Sequence, residues 1–144
     1  MSHIQREFPY EKMAKYPGMR PRDVVLWERF IDKFPDMFNS VVYDAHVGDP
    51  AAAPEKHDEM RASGAFDVCQ WCVDVIAKEG ENVFVIEIKP NAGAGALGQA
   101  LAYRKLLAHE GRIPRNAAPV VITDAITPIL RAAAAALSVQ LIEV

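Results

Sequence analysis

Cysteine is scarce in this sequence: Cys69 and Cys72 are the only two among 144 residues. No second pair completes a structural zinc site of the four-ligand type. Long apolar runs are missing as well. None approaches the ~20 residues that a bilayer crossing needs, and the opening MSHIQREFPYEKM has no long apolar core. A cytoplasmic protein without a membrane partner is expected. Nor is there an excess of positive charge. Sixteen Lys and Arg against nineteen Asp and Glu leave −3, which excludes a polycationic tail that coats nucleic acid by charge alone. A local basic groove stays compatible with that balance. What is present is a hydrophobic share of 51%, enough for one compact domain without disulfides or structural metal.

Residues 1–20 are polar and irregular, with Pro9, Pro17 and Gly18, and read as an arm. Residues 21–144 read as a single domain. Pro21 opens a helical pattern in which Val24, Trp27, Ile31 and Phe34 recur until Pro35 ends it. SVVYDAHV at 40–47 is rich in strand formers. A long loop is expected over 48–64. Two apolar runs, 66–77 and 83–89, flank the polar turn KEGEN and predict a β-hairpin. A helix follows over 96–110 and stops at Gly111. PVVITD at 119–124 is a buried-type strand. Thr127-Pro128 caps and opens a helix through RAAAAAL, and VQLIEV at 139–144 is a last strand. The predicted order is α-β-β-β-α-β-α-β.

Within the second hairpin strand, alternation places Val83, Val85, Glu87 and Lys89 on one face. Folding the hairpin about Gly80 and Glu81 sets Asp74 opposite Glu87, with Cβ atoms about 5 Å apart. Two carboxylates that close repel, and one is pushed toward protonation. A divalent cation removes the conflict, and oxygen ligands suit Mg2+ or Mn2+. Lys89, one pleat along, can hold a water and offset charge on a phosphate. The plain alternative is a surface salt bridge. Gln99 and Tyr103 share a helix face, close enough to the strand end to orient the acids, Lys89 or a nucleic-acid backbone. Arg104 and Lys105, with Arg112 and Arg115 beyond, form the most basic stretch and are the candidate DNA contacts; a solvated polar stripe is the simpler reading.

Asp74, then Glu87-Ile88-Lys89, then Gln99-Ala-Leu-Ala-Tyr103 resembles the PD-(D/E)XK nuclease superfamily, in its RecB-like branch with a Q-x-x-x-Y helix. The resemblance implies a restriction-endonuclease-like αβββαβ core in an α/β fold, with a mixed sheet flanked by helices. It implies that Asp74 and Glu87 bind Mg2+ or Mn2+ and that Lys89 assists the attacking water. It implies too that Gln99 and Tyr103 support the site or contact nucleic acid. Val73 stands where the family name has proline. Pro35-Asp36 spells the motif but lies between a helix and a strand and is set aside. Asp67 is a second candidate for the first carboxylate. Glu28 is the candidate for the additional helix acid that some relatives carry.

Gly93-Ala-Gly95-Ala-Leu-Gly98 is a literal GxGxxG, with Asp124 ending the next strand, so a dinucleotide site is the rival motif. Against it, Rossmann strands are apolar on both faces and this one carries Glu87 and Lys89. Cys69 and Cys72, three apart in a strand, read as core residues rather than a redox pair. His46, His57 and His109 share no ligand spacing. Trp27 and Trp71 read as core anchors. The reading for the whole chain is a metal-dependent nuclease hydrolysing DNA. The net acidity suggests a partner protein that delivers the substrate, and an edge at 139–144 suits a homo-oligomer. A second reading is a catalytically inactive nuclease-like phage module, associated with the virion, with a structural, packaging or nucleic-acid-binding role.

Overall fold

The computed structural model describes residues 6–48 and 71–144. Its elements run β1 (Glu7–Pro9), α1 (Pro21–Lys33), β2 (Ser40–Val47), β3 (Trp71–Glu79), β4 (Asn82–Ile88), α2 (Ala94–His109), β5 (Ala118–Thr123), α3 (Pro128–Leu137) and β6 (Gln140–Glu143). The six strands form one mixed sheet in chain order. β1 to β4 pair antiparallel, and β4–β5 and β5–β6 pair parallel. Parallel neighbours need a crossover, and α2 and α3 supply the two. Among the described residues, no helix is long and apolar enough to cross a membrane.

The helices lie on both faces of the sheet because β4 and β5 send buried apolar side chains to both. On one face Leu26, Trp27, Phe30 and Ile31 of α1 pack on Val41, Tyr43, Val75, Ile86 and Ile122. On the other, Leu97 and Ala100 of α2 meet Leu130 and Ala134 of α3 over Val121, while Tyr103 and Leu107 of α2 cover Ala45, Val73 and Val85. Trp27 is fully buried as its spacing predicts. Trp71 is not: it is 51% exposed and rests only one side against Tyr103, ring centroids 6.1 Å apart.

The hairpin closes as its turn chemistry requires. Gly80, with φ 59°, occupies the first central position of a two-residue turn, the type II′ arrangement that follows strand twist. Its amide donates to Asn39 Oδ1 at 2.7 Å. The resulting register, Val75 with Ile86 and Glu79 with Asn82, is the one expected from the sequence. The turn itself is shorter than KEGEN, since Lys78, Glu79 and Asn82 belong to the strands. The arm is a correction. Glu7–Pro9 adds an edge strand to β2, and Tyr10 and Tyr16 are buried in the α1-side cluster. Two aromatics in a proline-rich, aperiodic stretch give no local signal; they are held by the surface that α1 and β2 create.

At α3, Thr127 Oγ1 accepts from the Leu130 amide at 3.2 Å. Thr127→Ala should cost about 1 kcal/mol, the usual worth of an N-cap, read as a shift in the urea midpoint at unchanged slope. No change would mean that Pro128 alone starts this helix.

Candidate active site

The β3–β4 ladder ends at Val75 and Ile86, and the next level of the sheet is carboxylate. Asp74 Oδ2 accepts from the Ile88 amide at 2.8 Å, taking the place of a backbone acceptor. Glu87 lies level with it on β4, buried at 6% exposure. The two carboxyls are close enough for each to perturb the ionisation of the other. Glu87 Oε1 is buried and has no hydrogen-bond partner among the described residues. An unpaired buried acceptor costs about 1–3 kcal/mol, so its presence here calls for a donor or a cation.

Burial, then the neighbouring Asp74 charge, push the Glu87 carboxyl well above its usual range, opposed in part by the Asp74 backbone. Asp74 is raised as well, chiefly by burial, with the Ile88 amide pulling the other way. Without a cation the pair therefore holds a proton near neutrality.

Two further acids join them. Tyr43 pairs with Val75 and Ala45 with Val73, which leaves Asp44 level with Asp74. Asp44, Asp74 and Glu87 thus form one row across three adjacent strands. Asp44 has φ 53°, a left-handed conformation that asparagine and aspartate tolerate better than other residues. Alternation breaks there: Tyr43 packs on the α1 side and Ala45 on the α2 side. Asp23, in the first turn of α1, approaches from above the sheet. Its carboxyl is raised by burial, and Lys89, Arg20 and Arg22 counter the shift. A cleft of about 660 Å3 gathers these groups, with Arg20, Arg22, Asp23, Lys89 and Gln99 on its walls beside the acid row.

Gly18 fixes one wall. It has φ +69°, and a Cβ there would overlap the Asp44 carboxyl group. Gly18→Ala is expected to cost about 1–2 kcal/mol for the left-handed backbone alone and to displace Asp44. A melting-temperature drop together with weakened divalent-metal binding is the predicted result. A variant equal to wild type in both would show that Asp44 needs no such support.

The loop after Lys89 is pinned to β5. The Asn91 amide donates to Asp124 Oδ1 at 2.7 Å and the Ala92 amide to the buried Thr123 Oγ1 at 3.0 Å. The Lys89 amide itself continues the parallel ladder to Ile122 O at 2.9 Å. Asp124 is therefore occupied as a loop cap. A Cβ at Gly93, Gly95 or Gly98 would meet nothing within 4 Å, so these glycines are not demanded by close helix packing.

Of the sequence-derived candidates, Asp74, Glu87, Lys89 and Gln99 line one cleft. Tyr103 is buried beneath it, its hydroxyl pushed up to about 12 by burial and then by Glu87, Asp74 and Cys72, so it remains a donor. Glu28 is not on the cleft wall; it accepts from Tyr16 Oη at 2.8 Å, and the α1 acid that reaches the site is Asp23, one turn and a half earlier. Arg104, Lys105 and Arg115 line a separate groove with Leu106 and His109. Arg112 leaves that set: its Nη1 donates to His46 O and pairs with Glu110 Oε2 at 3.0 Å, which ties the end of α2 to β2. Pro35-Asp36 sits in an exposed turn after α1. Asp67, Cys69 and His57 lie outside the described residues. Cys72 is half-buried on the cleft wall rather than in the core, its thiol pushed up to about 12 by burial and by Asp44.

Asp44 and Asp23 are the residues that sequence reasoning missed. Asp44 carried a usable signal, a charge inside the strand former SVVYDAHV, of the same kind as Glu87 in VFVIEIK. Asp23 carried none, since an acid in the first turn of a helix is common for reasons of the helix dipole.

No family model matches the chain, and no curated protein or solved structure matches it.

Proposed function

We propose that this chain is a divalent-metal-dependent nuclease that hydrolyses DNA phosphodiester bonds, on a restriction-endonuclease-like variant of the αβββαβ arrangement. The observation that carries the reading is Glu87: a buried carboxylate with an orphaned Oε1, beside a second carboxylate at the floor of an open cleft. A hard cation with oxygen ligands fits that donor set, because it satisfies the orphaned oxygen and removes the repulsion together. Asp74 and Glu87 would hold Mg2+ or Mn2+, with Asp23 and Asp44 within the same cleft as further oxygen donors.

When bound, the metal supplies Lewis-acid polarisation of a phosphoryl oxygen and acidification of a water. Lys89, at the lip of the cleft and opposed by Asp23, holds the attacking water and offsets phosphate charge. Arg20 and Arg22 stand at the α1 end of the cleft, where they meet the DNA backbone on its way to the acids. Gln99 reaches the same backbone from α2. Arg104, Lys105 and Arg115 extend the contact along the outer side of α2. Because the chain is net acidic, a partner protein that delivers the DNA completes this reading.

The test is cleavage of supercoiled plasmid and of single-stranded DNA in Mg2+ and Mn2+, with RNA in parallel. Expected are nicking or degradation that EDTA abolishes and that Asp74→Asn removes. Binding of DNA without cleavage in either metal would instead identify an inactive nuclease-like module of the phage packaging or structural kind.

A further inference from the structure

Beside the acid row lie two side chains of different chemistry, His46 and Cys72, which the nuclease reading does not use and which share Asp44 with that row. His46 of β2 and Cys72 of β3 are direct register partners, with Cys72 Sγ 3.6 Å from His46 Nδ1. His46 Nε2 lies 3.9 Å from Asp44 Oδ2. One ligand atom from each of the three residues can be chosen so that all lie within 4.8 Å of one another.

We propose that Asp44, His46 and Cys72 form a second metal site, selective for a borderline-soft divalent cation of the Zn2+ type and distinct from the Asp74–Glu87 pair. The argument is one of ligand chemistry and distance. Oxygen-only sites suit Mg2+ and Mn2+, whereas thiolate with imidazole selects Zn2+. Zn–S bonds of about 2.3 Å and Zn–N bonds of about 2.0–2.1 Å, set at tetrahedral angles, separate sulfur from nitrogen by about 3.6 Å. That is the separation between Cys72 and His46 here. Three protein ligands leave the fourth position open, and Cys72 and Asp44 both face the cleft, so the open position is accessible from it. The carboxylate is also held in place from behind: Gly18 packs against Asp44 with no room for a Cβ.

The two sites divide the acids between them. Zn2+ withdraws Asp44 from the row across the sheet and leaves Asp74 and Glu87 to an oxygen-preferring ion. An Asp–His ion pair beside a thiol–imidazole hydrogen bond would have the same appearance without metal, and the experiment separates the two.

Titration of the metal-free full chain with Co2+ should raise a thiolate-to-cobalt charge-transfer band that saturates at one equivalent and is displaced by Zn2+. Cys72→Ser should abolish the band. His46→Ala should weaken binding by a hundredfold or more. Cys69→Ser and Asp74→Asn should retain the band, the latter also separating this site from the proposed nuclease pair. Because variants of β2 or β3 can misfold, wild-type protein provides the second measurement: one equivalent of Zn2+ should slow alkylation of Cys72 at least tenfold, read by peptide mass. A band that survives Cys72→Ser, a band lost in Cys69→Ser, or unprotected Cys72 at saturating Zn2+ overturns the proposal.

Discussion

Glu87→Gln is expected to eliminate metal-dependent cleavage and at the same time to stabilise the metal-free protein. Opposite signs in the two readouts make this a sharp test of the acid pair. Loss of cleavage follows from loss of a charged oxygen ligand, and removal of such a group from a metal site commonly costs 10²-fold or more in rate. The gain in stability follows from proton linkage. Burial and Asp74 raise the Glu87 carboxyl above its unfolded value, so the folded state holds a proton that the unfolded chain releases. Folding stability is then fully present below the ordinary carboxylate range. It falls as pH rises through and above that range, by about 1.4 kcal/mol per pH unit until Glu87 itself ionises. Asp74 contributes with the same sign. Glutamine mimics the protonated acid, and its uncharged amide removes the repulsion with Asp74. The pH slope of the unfolding free energy should therefore flatten in the variant, and the difference from wild type should grow toward alkaline pH. Saturating Mg2+ should flatten the wild-type slope in the same way. A variant less stable than wild type at pH 8 would mean that the pair is ionised and satisfied without a cation.

Trp27→Ala should bring the largest loss of stability, about 3–5 kcal/mol, against a total of roughly 5–15 kcal/mol for a domain of this kind. Trp27 is fully buried, stacked on Phe30 with ring centroids 5.4 Å apart and 7° between planes, and edge-on to Tyr10 at 5.8 Å. Its indole N–H donates to Tyr43 Oη at 3.0 Å, so alanine leaves a cavity and also an unsatisfied hydroxyl. Trp27→Phe keeps much of the packing and loses the hydrogen bond, and should cost about 1–2 kcal/mol. Urea midpoints measure both. The site should feel the change too, because this ring seats α1, and the first turn of α1 carries Asp23 and the two arginines to the cleft. A loss below about 1 kcal/mol for alanine would mean that α1 is held by other contacts.

Elements defined by neighbouring residues were legible in the sequence. The spacing of Val24, Trp27 and Ile31 marks α1, Thr127-Pro128 marks the start of α3, and a glycine in a two-residue turn sets the β3–β4 register and hence the meeting of Asp74 and Glu87. Each of these depends on backbone torsions, capping or a closure of very few residues, so the chemistry is readable within a short window.

What only the tertiary structure decided involves distant partners. Asp44 reaches the acid row because β2 pairs with β3 across a connection of more than twenty residues, and no local pattern specifies that register. Asp23 faces the cleft because the aromatic cluster beneath α1 sets the helix's rotation. Tyr10 and Tyr16 bury themselves on a surface assembled from α1 and the sheet, and Arg112 turns inward because the end of α2 stops beside His46. The sequence by itself thus determined which segments are helix or strand and which two acids face each other across a tight turn. Long-range packing determined which further side chains join them, since contacts between distant segments are selected by the shape and charge of surfaces that exist only once the sheet has formed.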